Sequence, residues 1–226
     1  KKDELDNPIK LDCGHVSGTK NDATGKHEFV ADITMVKGLT YEILFFAYDD
    51  ENCAFQLAST VEETNLTALT LNTELVANEE SYDAFVKCHP YTFGGETDVV
   101  LTRPFAQINA ATTLDDLDKA KKLQAVVTTS ELVINEVPTQ YNVLTGEATS
   151  KANLTYKANE ILTKYPAVTD GHPNEDITVN EVGYKYLTMA YVLAGETKDS
   201  KESMHNATFK FYRDGDANSI RTIEIP

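Results

Sequence analysis

The chain has 226 residues, 41% hydrophobic and 25% charged, a composition that folds and that fills either one large β-sandwich or two small domains. Lys and Arg number 20 against 36 Asp and Glu, a formal charge of −16 that repels nucleic-acid backbones and anionic lipid surfaces. No run reaches the roughly 18 apolar residues a spanning helix needs, so contact with a membrane is expected only through an anchor outside these residues.

The opening KKDELDNPIK is polar and loop-like, as expected where a signal peptide or lipid-bearing segment has been removed. From Lys26 to Asp49 the order is strand, turn, strand. Phe29, Ala31, Ile33 and Met35 alternate with polar residues, Lys37-Gly38 breaks the pattern, and Tyr41 to Tyr48 is apolar on both faces. That second segment is predicted to be a central strand covered on both sides. An acidic loop, DDENCAF, comes next, then a Thr/Asn/Glu-rich region with a short strand at LTALTL. SYDAFVKCHPYTFGGETD, punctuated by His89-Pro90 and Gly94-Gly95, predicts a long surface loop after a short strand or helical turn.

Strand pattern resumes at DVVLTRPFAQINAAT. TLDDLDKAKKL then predicts the one helix: Thr113 is the N-cap, Asp116 lies three residues on, acids fill the first turn and lysines the last. At about three turns it suits a crossover within a β fold. AVVTTSEL, VPTQYNV, ANLTYKAN, GYKYLTMAYVLA, NATFKFYRD and SIRTIEIP are each β-rich and separated by turn-like groups, the spacing of a sandwich. The fold class expected is therefore all-β, an immunoglobulin-like sandwich with one short helix. It is read as two stacked domains, 1–97 and 98–226, with a single large sandwich as the alternative.

No residue set predicts catalysis, cofactor binding or metal binding. A nucleophile elbow is missing, and Gly94-Gly95 precedes neither a Lys-Ser/Thr pair nor a helix start. His15 and His172 read as turn and loop residues, and Asp49, Asp50 and Glu51 as a solvated loop tip. Asp214, Asp216 and Asn218 have the 1-3-5 spacing of a calcium loop, but Ser219 replaces its glycine and Ile225 its bidentate Glu, so a hairpin turn is expected. Cys13, Cys53 and Cys88 lack metal-ligand spacing. For Cys53 and Cys88 two readings stay open, one disulfide between them or buried free thiols. Tyr41, Tyr184, Tyr186 and Tyr191 lie in strand patterns and are expected in core or cross-strand packing.

VVLTRPFAQINAAT, Val99 to Thr112, resembles a signature of the fimbrillin-like (Mfa-like) surface lipoproteins of the Bacteroidales. MVKGLTYEILFFAY, SYDAF, VPTQYNVLTG and YLTMAYVLA are similar to the same group in the same order. Physically, Pro104 donates no N–H and biases Arg103 toward extended geometry, so the motif suits a strand start, an edge or a bulge. The resemblance implies a non-enzymatic, outer-membrane-anchored cell-surface protein of fimbrial or adhesion type, an all-β sandwich built of transthyretin-like domains. Its partners would be other pilus subunits, joined by β-strand exchange. RTIEIP at the C-terminus departs from the group, where a further basic, strand-like segment is expected. The alternative expectation is a glycan-binding surface lipoprotein that uses the aromatic stretch around Tyr91 and Phe93, with a host or dietary glycan or a surface protein as partner.

Overall fold

A computed structural model describes residues 19–21, 26–49, 52–72, 75–95, 97–158, 177–194 and 206–225. Cys13, His15, Asp50, Glu51 and His172 lie outside the described residues. In chain order the strands begin with β1 (Thr19–Asn21), β2 (Lys26–Glu28), β3 (Thr40–Ala47), β4 (Phe55–Gln56), β5 (Leu69–Leu71), β6 (Leu75–Val76) and β7 (Phe85–Thr92). After β8 (Phe105–Thr113) comes the helix α1 (Leu114–Lys122). The remaining strands are β9 (Thr129–Tyr141), β10 (Ala148–Ala158), β11 (Ile177–Val179), β12 (Val182–Leu193), β13 (Ala207–Tyr212) and β14 (Arg221–Ile225). The fold is an all-β, sandwich-type architecture with one short α-helix among the described residues.

One layer is the seven-stranded sheet β14-β13-β9-β10-β6, to which β5 adds on β9 and β4 on β5. The facing layer holds β11-β12-β8 and the pair β3-β7, joined where Val86 and Thr102 exchange two backbone hydrogen bonds. β8 and β9 belong to different sheets, so α1 is the crossover its length predicts. Thr113 caps it: its Oγ1 accepts from the Asp116 N–H at 3.2 Å and donates to Asp116 Oδ2 at 2.8 Å.

The core lies between the layers. Leu132, Ile134, Leu154, Tyr156, Phe209 and Phe211 of the larger sheet meet Phe105, Met189, Tyr191 and Leu193, with Phe55, Leu69, Leu71 and Leu75 in the same cluster. This cluster, and the seven-stranded sheet with it, takes residues from both sides of position 97.

Two bulges set which side chains face inward. On β9, Ser130, Leu132 and Ile134 are buried in strict alternation. Glu136 then takes a left-handed φ of 59°, its N–H bonds Asn153 Oδ1 at 3.1 Å, and the register shifts between Ala152 and Leu154 of β10. The extra residue resets the phase, so Val137 and Pro138 form a buried pair. This is why AVVTTSEL and VPTQYNV, read as two strands, lie largely within one of 13 residues. On β12 the register slips at Leu187, whose carbonyl accepts from Ser130 Oγ across the sandwich at 2.9 Å. Thr188 to Leu193 are then all buried.

Three expectations are corrected. Phe29 to Val36 form no strand and are exposed apart from half-buried Met35. β3 is not central: β7 is its one ladder partner among the described residues, and apart from Tyr41 its side chains are at best half-buried. The strand covered on both faces is the second half of β12. Finally, the expected loop at FVKCHPYT is the eight-residue strand β7. Pro90 is tolerated there because it shares the parity of Val86, whose N–H points away from β3 toward Thr102. The missing donor therefore removes no bond to β3.

Candidate interaction surface

β14 lies at the edge of the larger sheet, paired to β13 over five residues from Ala207↔Ile225 to Phe211↔Arg221. All five of its residues are exposed, including Ile223 at 43% and Ile225 at 48%. Its neighbour differs: Ala207, Phe209 and Phe211 of β13 are buried. β14 is therefore held by its ladder and contributes little to the core. The turn before it, at Asp214 and Asp216, is the hairpin expected there. Gly215 supplies a φ of 75°, and the Arg213 guanidinium bonds Asp216 Oδ2 at 2.8 and 2.9 Å, which commits that carboxylate to the turn.

A second open feature is the β3-β7 ribbon. Leu44, Phe46 and Tyr48 pack on the core, with Phe46 stacked on Tyr48 at 4.9 Å and edge-on to Phe55 at 5.7 Å. The opposite face pairs Tyr41 with Tyr91, Ile43 with His89, Phe45 with Lys87 and Ala47 with Phe85. Beyond it, Phe93 is 55% exposed and the Lys37 ammonium lies 5.5 Å from its ring centroid. Tyr91 is half-buried, with the His89 ring 6.5 Å away.

The LTRPFAQINA motif is structural. Pro104 directly precedes β8, is buried, and its carbonyl accepts the Ala194 N–H at 2.8 Å. Phe105 enters the core. Arg103 Nε bonds both Asp83 oxygens at 2.9 and 2.7 Å while its guanidinium lies 4.8 Å from the Phe85 ring centroid. The hydrogen bond to Asp83, foremost, and the charge of Asp83 raise the Arg103 pKa. Next to it, the Tyr191 hydroxyl donates to Glu80 Oε2 at 2.9 Å and accepts from Gln107 Nε2 at 3.2 Å. Burial, then the Glu80 carboxylate, push that phenol well above its usual range. Sequence reasoning missed Glu80 and Asp83, because carboxylates in a polar stretch carry no pattern until the fold sets β8 and β12 beside them.

Tyr41, Tyr186 and Tyr191 are buried and Tyr184 half-buried, the packing roles expected of them. Cys53 and Cys88 are free thiols. Burial raises both pKa values, with Glu42 adding to the effect at Cys88, so both are weak nucleophiles at neutral pH. Among the described residues, no three His, Cys, Asp or Glu side chains converge as metal ligands, and no helix is long and apolar enough to cross a membrane.

No curated protein and no solved structure matches the chain. A family model does match, over residues 2–226, and the chain belongs to that family, DUF6562, a family of unknown function.

Proposed function

We propose that this chain is a non-enzymatic subunit of fimbrial or adhesion type, held at the outer surface of the cell by an N-terminal lipid anchor, that docks onto other subunits by β-strand exchange. The observation that carries this reading is β14: five paired residues at a sheet edge, every one exposed. Exchange trades one set of backbone hydrogen bonds for an equivalent set. A strand whose side chains stay outside the core cluster is released at modest cost in apolar contact, and its departure opens the edge of β13 to an incoming strand. The ordered resemblance to fimbrillin-like lipoproteins points the same way. Unboiled gel electrophoresis with negative-stain microscopy on the full mature chain tests it. A ladder of resistant multimers is the expected result, and a single monomer band at every concentration overturns strand exchange.

A second reading, glycan binding without assembly, is favoured by one feature, the exposed Phe93 ring beside Lys37 and Tyr91. Aromatic faces stack on sugar rings. A blank glycan array removes this reading, as does binding left unchanged by Tyr91→Ala and Phe93→Ala.

A further inference from the structure

The outward face of the β3-β7 ribbon is sorted by charge. Of the residues paired on it, Lys87 and His89 are basic and none is acidic. The one carboxylate in the two strands, Glu42, stands opposite Pro90 on the other face. Lys37 brings a second ammonium to the Phe93 end. Both lysines are exposed, and neither is in an ion pair with a carboxylate among the described residues. Arg103 reaches the far end over Phe85, but Asp83 already holds its charge. In a chain with 36 acidic residues against 20 basic ones, a face with free cations and no acid is the reverse of the average surface.

These cations lie beside rings. Lys87, His89 and Tyr91 project from one face of β7 at intervals of about 7 Å, and Phe93 follows, 55% exposed with the Lys37 ammonium 5.5 Å from its centroid. Tyr41 is taken up by its two hydroxyl bonds to Val36, so the rings at this end that can meet a ligand are His89, Tyr91 and Phe93. The shape of the face limits what it can hold. Two strands of eight residues make a strip roughly 26 Å long and about 10 Å wide, on the order of 250 Å² in projection. A stable protein partner covers about 800 Å². The strip suits a linear chain one unit wide. A nucleic acid is such a chain, but the formal charge of −16 opposes its densely charged backbone.

We infer that the outward face of the β3-β7 ribbon binds an acidic polysaccharide, with sugar rings stacked on Tyr91 and Phe93 and carboxylate or sulfate groups paired with Lys37 and Lys87. An acidic sugar presents an apolar ring face and an anion on one unit, as this strip presents an aromatic ring and an ammonium side by side. A neutral sugar would use the rings and leave both lysines idle. The inference rests on the glycan-binding reading and names its ligand class; it does not involve the β14 edge.

The test puts the full chain on an array of neutral, carboxylated and sulfated glycans, then through affinity electrophoresis in gels holding polygalacturonate, dextran sulfate or neutral dextran. The acidic polymers should retard the protein more than dextran does, and added salt should release it. Lys37→Gln/Lys87→Gln should weaken that binding roughly fivefold, and Tyr91→Ala/Phe93→Ala should weaken it at least as much. Lys151→Gln, at an exposed position on β10, should change nothing. Melting temperatures of the lysine variants should match the wild type, because both side chains are exposed. Retardation by polygalacturonate alone assigns the lysines to carboxylates, and by dextran sulfate alone to sulfates. Acidic binding that ignores the Lys37/Lys87 pair, or that Lys151→Gln weakens equally, overturns the site. Neutral glycans bound as tightly as acidic ones, with loss in Tyr91→Ala/Phe93→Ala, overturn the acidic class and leave the glycan-binding reading standing. No binding to any glycan overturns both.

Discussion

Asn78 closes the free side of Met189 as a one-residue strand would: its N–H donates to the Met189 carbonyl at 2.7 Å and its Oδ1 accepts the Met189 N–H at 2.7 Å. The geometry needs a left-handed backbone, and Asn78 has a φ of 63°, a region that Asn tolerates better than most residues. The neighbouring Ala77 N–H bonds Lys157 of β10, so two consecutive residues tie both layers. Asn78→Ala is expected to destabilise by about 2 to 3 kcal/mol, from a buried Met189 N–H left without its partner and an unfavourable φ. Asn78→Gly, which removes only the second penalty, should recover about 1 kcal/mol in urea denaturation.

A second pair of bonds crosses the sandwich. Tyr156, with no exposed surface, donates its hydroxyl to the Tyr191 carbonyl at 2.8 Å, and Ser130 bonds the Leu187 carbonyl. Tyr156→Phe and Ser130→Ala should each cost about 1 to 1.5 kcal/mol, and the double variant should cost their sum, because the two sites share no partner. Chemical denaturation of the two single variants and the double variant checks this; a coupling well above about 0.5 kcal/mol would mean the two bonds hold one unit.

Arg103 and Phe105 of the LTRPFAQINA motif should behave oppositely. The Arg103 side chain is 58% exposed, so its ion pair with Asp83 is screened, and Arg103→Ala should cost less than about 1 kcal/mol. Phe105 is 7% exposed in the core cluster, and Phe105→Ala should cost about 3 to 5 kcal/mol. Thermal melts of the two variants separate a motif kept for packing from one kept for its charge.

The cap of α1 carries a pH signature. The Thr113 hydroxyl, then Lys119, hold the Asp116 carboxyl below its ordinary 3.8. A lowered folded value means the interaction is complete above 3.8 and is lost as pH falls through the folded midpoint. Carboxyl-carbon NMR titration should therefore place the Asp116 midpoint below 3.8, and Thr113→Ala should move it up toward that value.

Local periodicity made much of this fold legible. The Thr113 cap, the short strand at β5 and the strands of the second half, β11 apart, arise from side-chain pattern and turn chemistry. What it hid was pairing. The apolar faces of Tyr41–Tyr48 and Phe29–Met35 look alike to a period-two reading, yet one is half-packed in a ribbon and the other has no partner strand among the described residues, because pairing depends on which edges distant strands such as β7 occupy. The bulge at Glu136 was equally invisible, since φ at a non-glycine residue leaves no mark in composition. The β14 edge was legible from strand propensity, but its exposure on both faces depends on β13 ending the packed part of the sheet.

Thr188 is the one buried side chain among the described residues whose hydroxyl has no hydrogen-bond partner. It sits with no exposed surface just past the slip at Leu187, where burial removes water from the hydroxyl and the fold returns nothing for it. Valine has nearly the same shape and the same branched β-carbon, so Thr188→Val should leave the strand intact and raise stability by about 1 kcal/mol. A higher midpoint in urea, with an unchanged slope, is the expected outcome. A fall in stability would instead mean that the Thr188 hydroxyl bonds a buried water beside the register slip at Leu187.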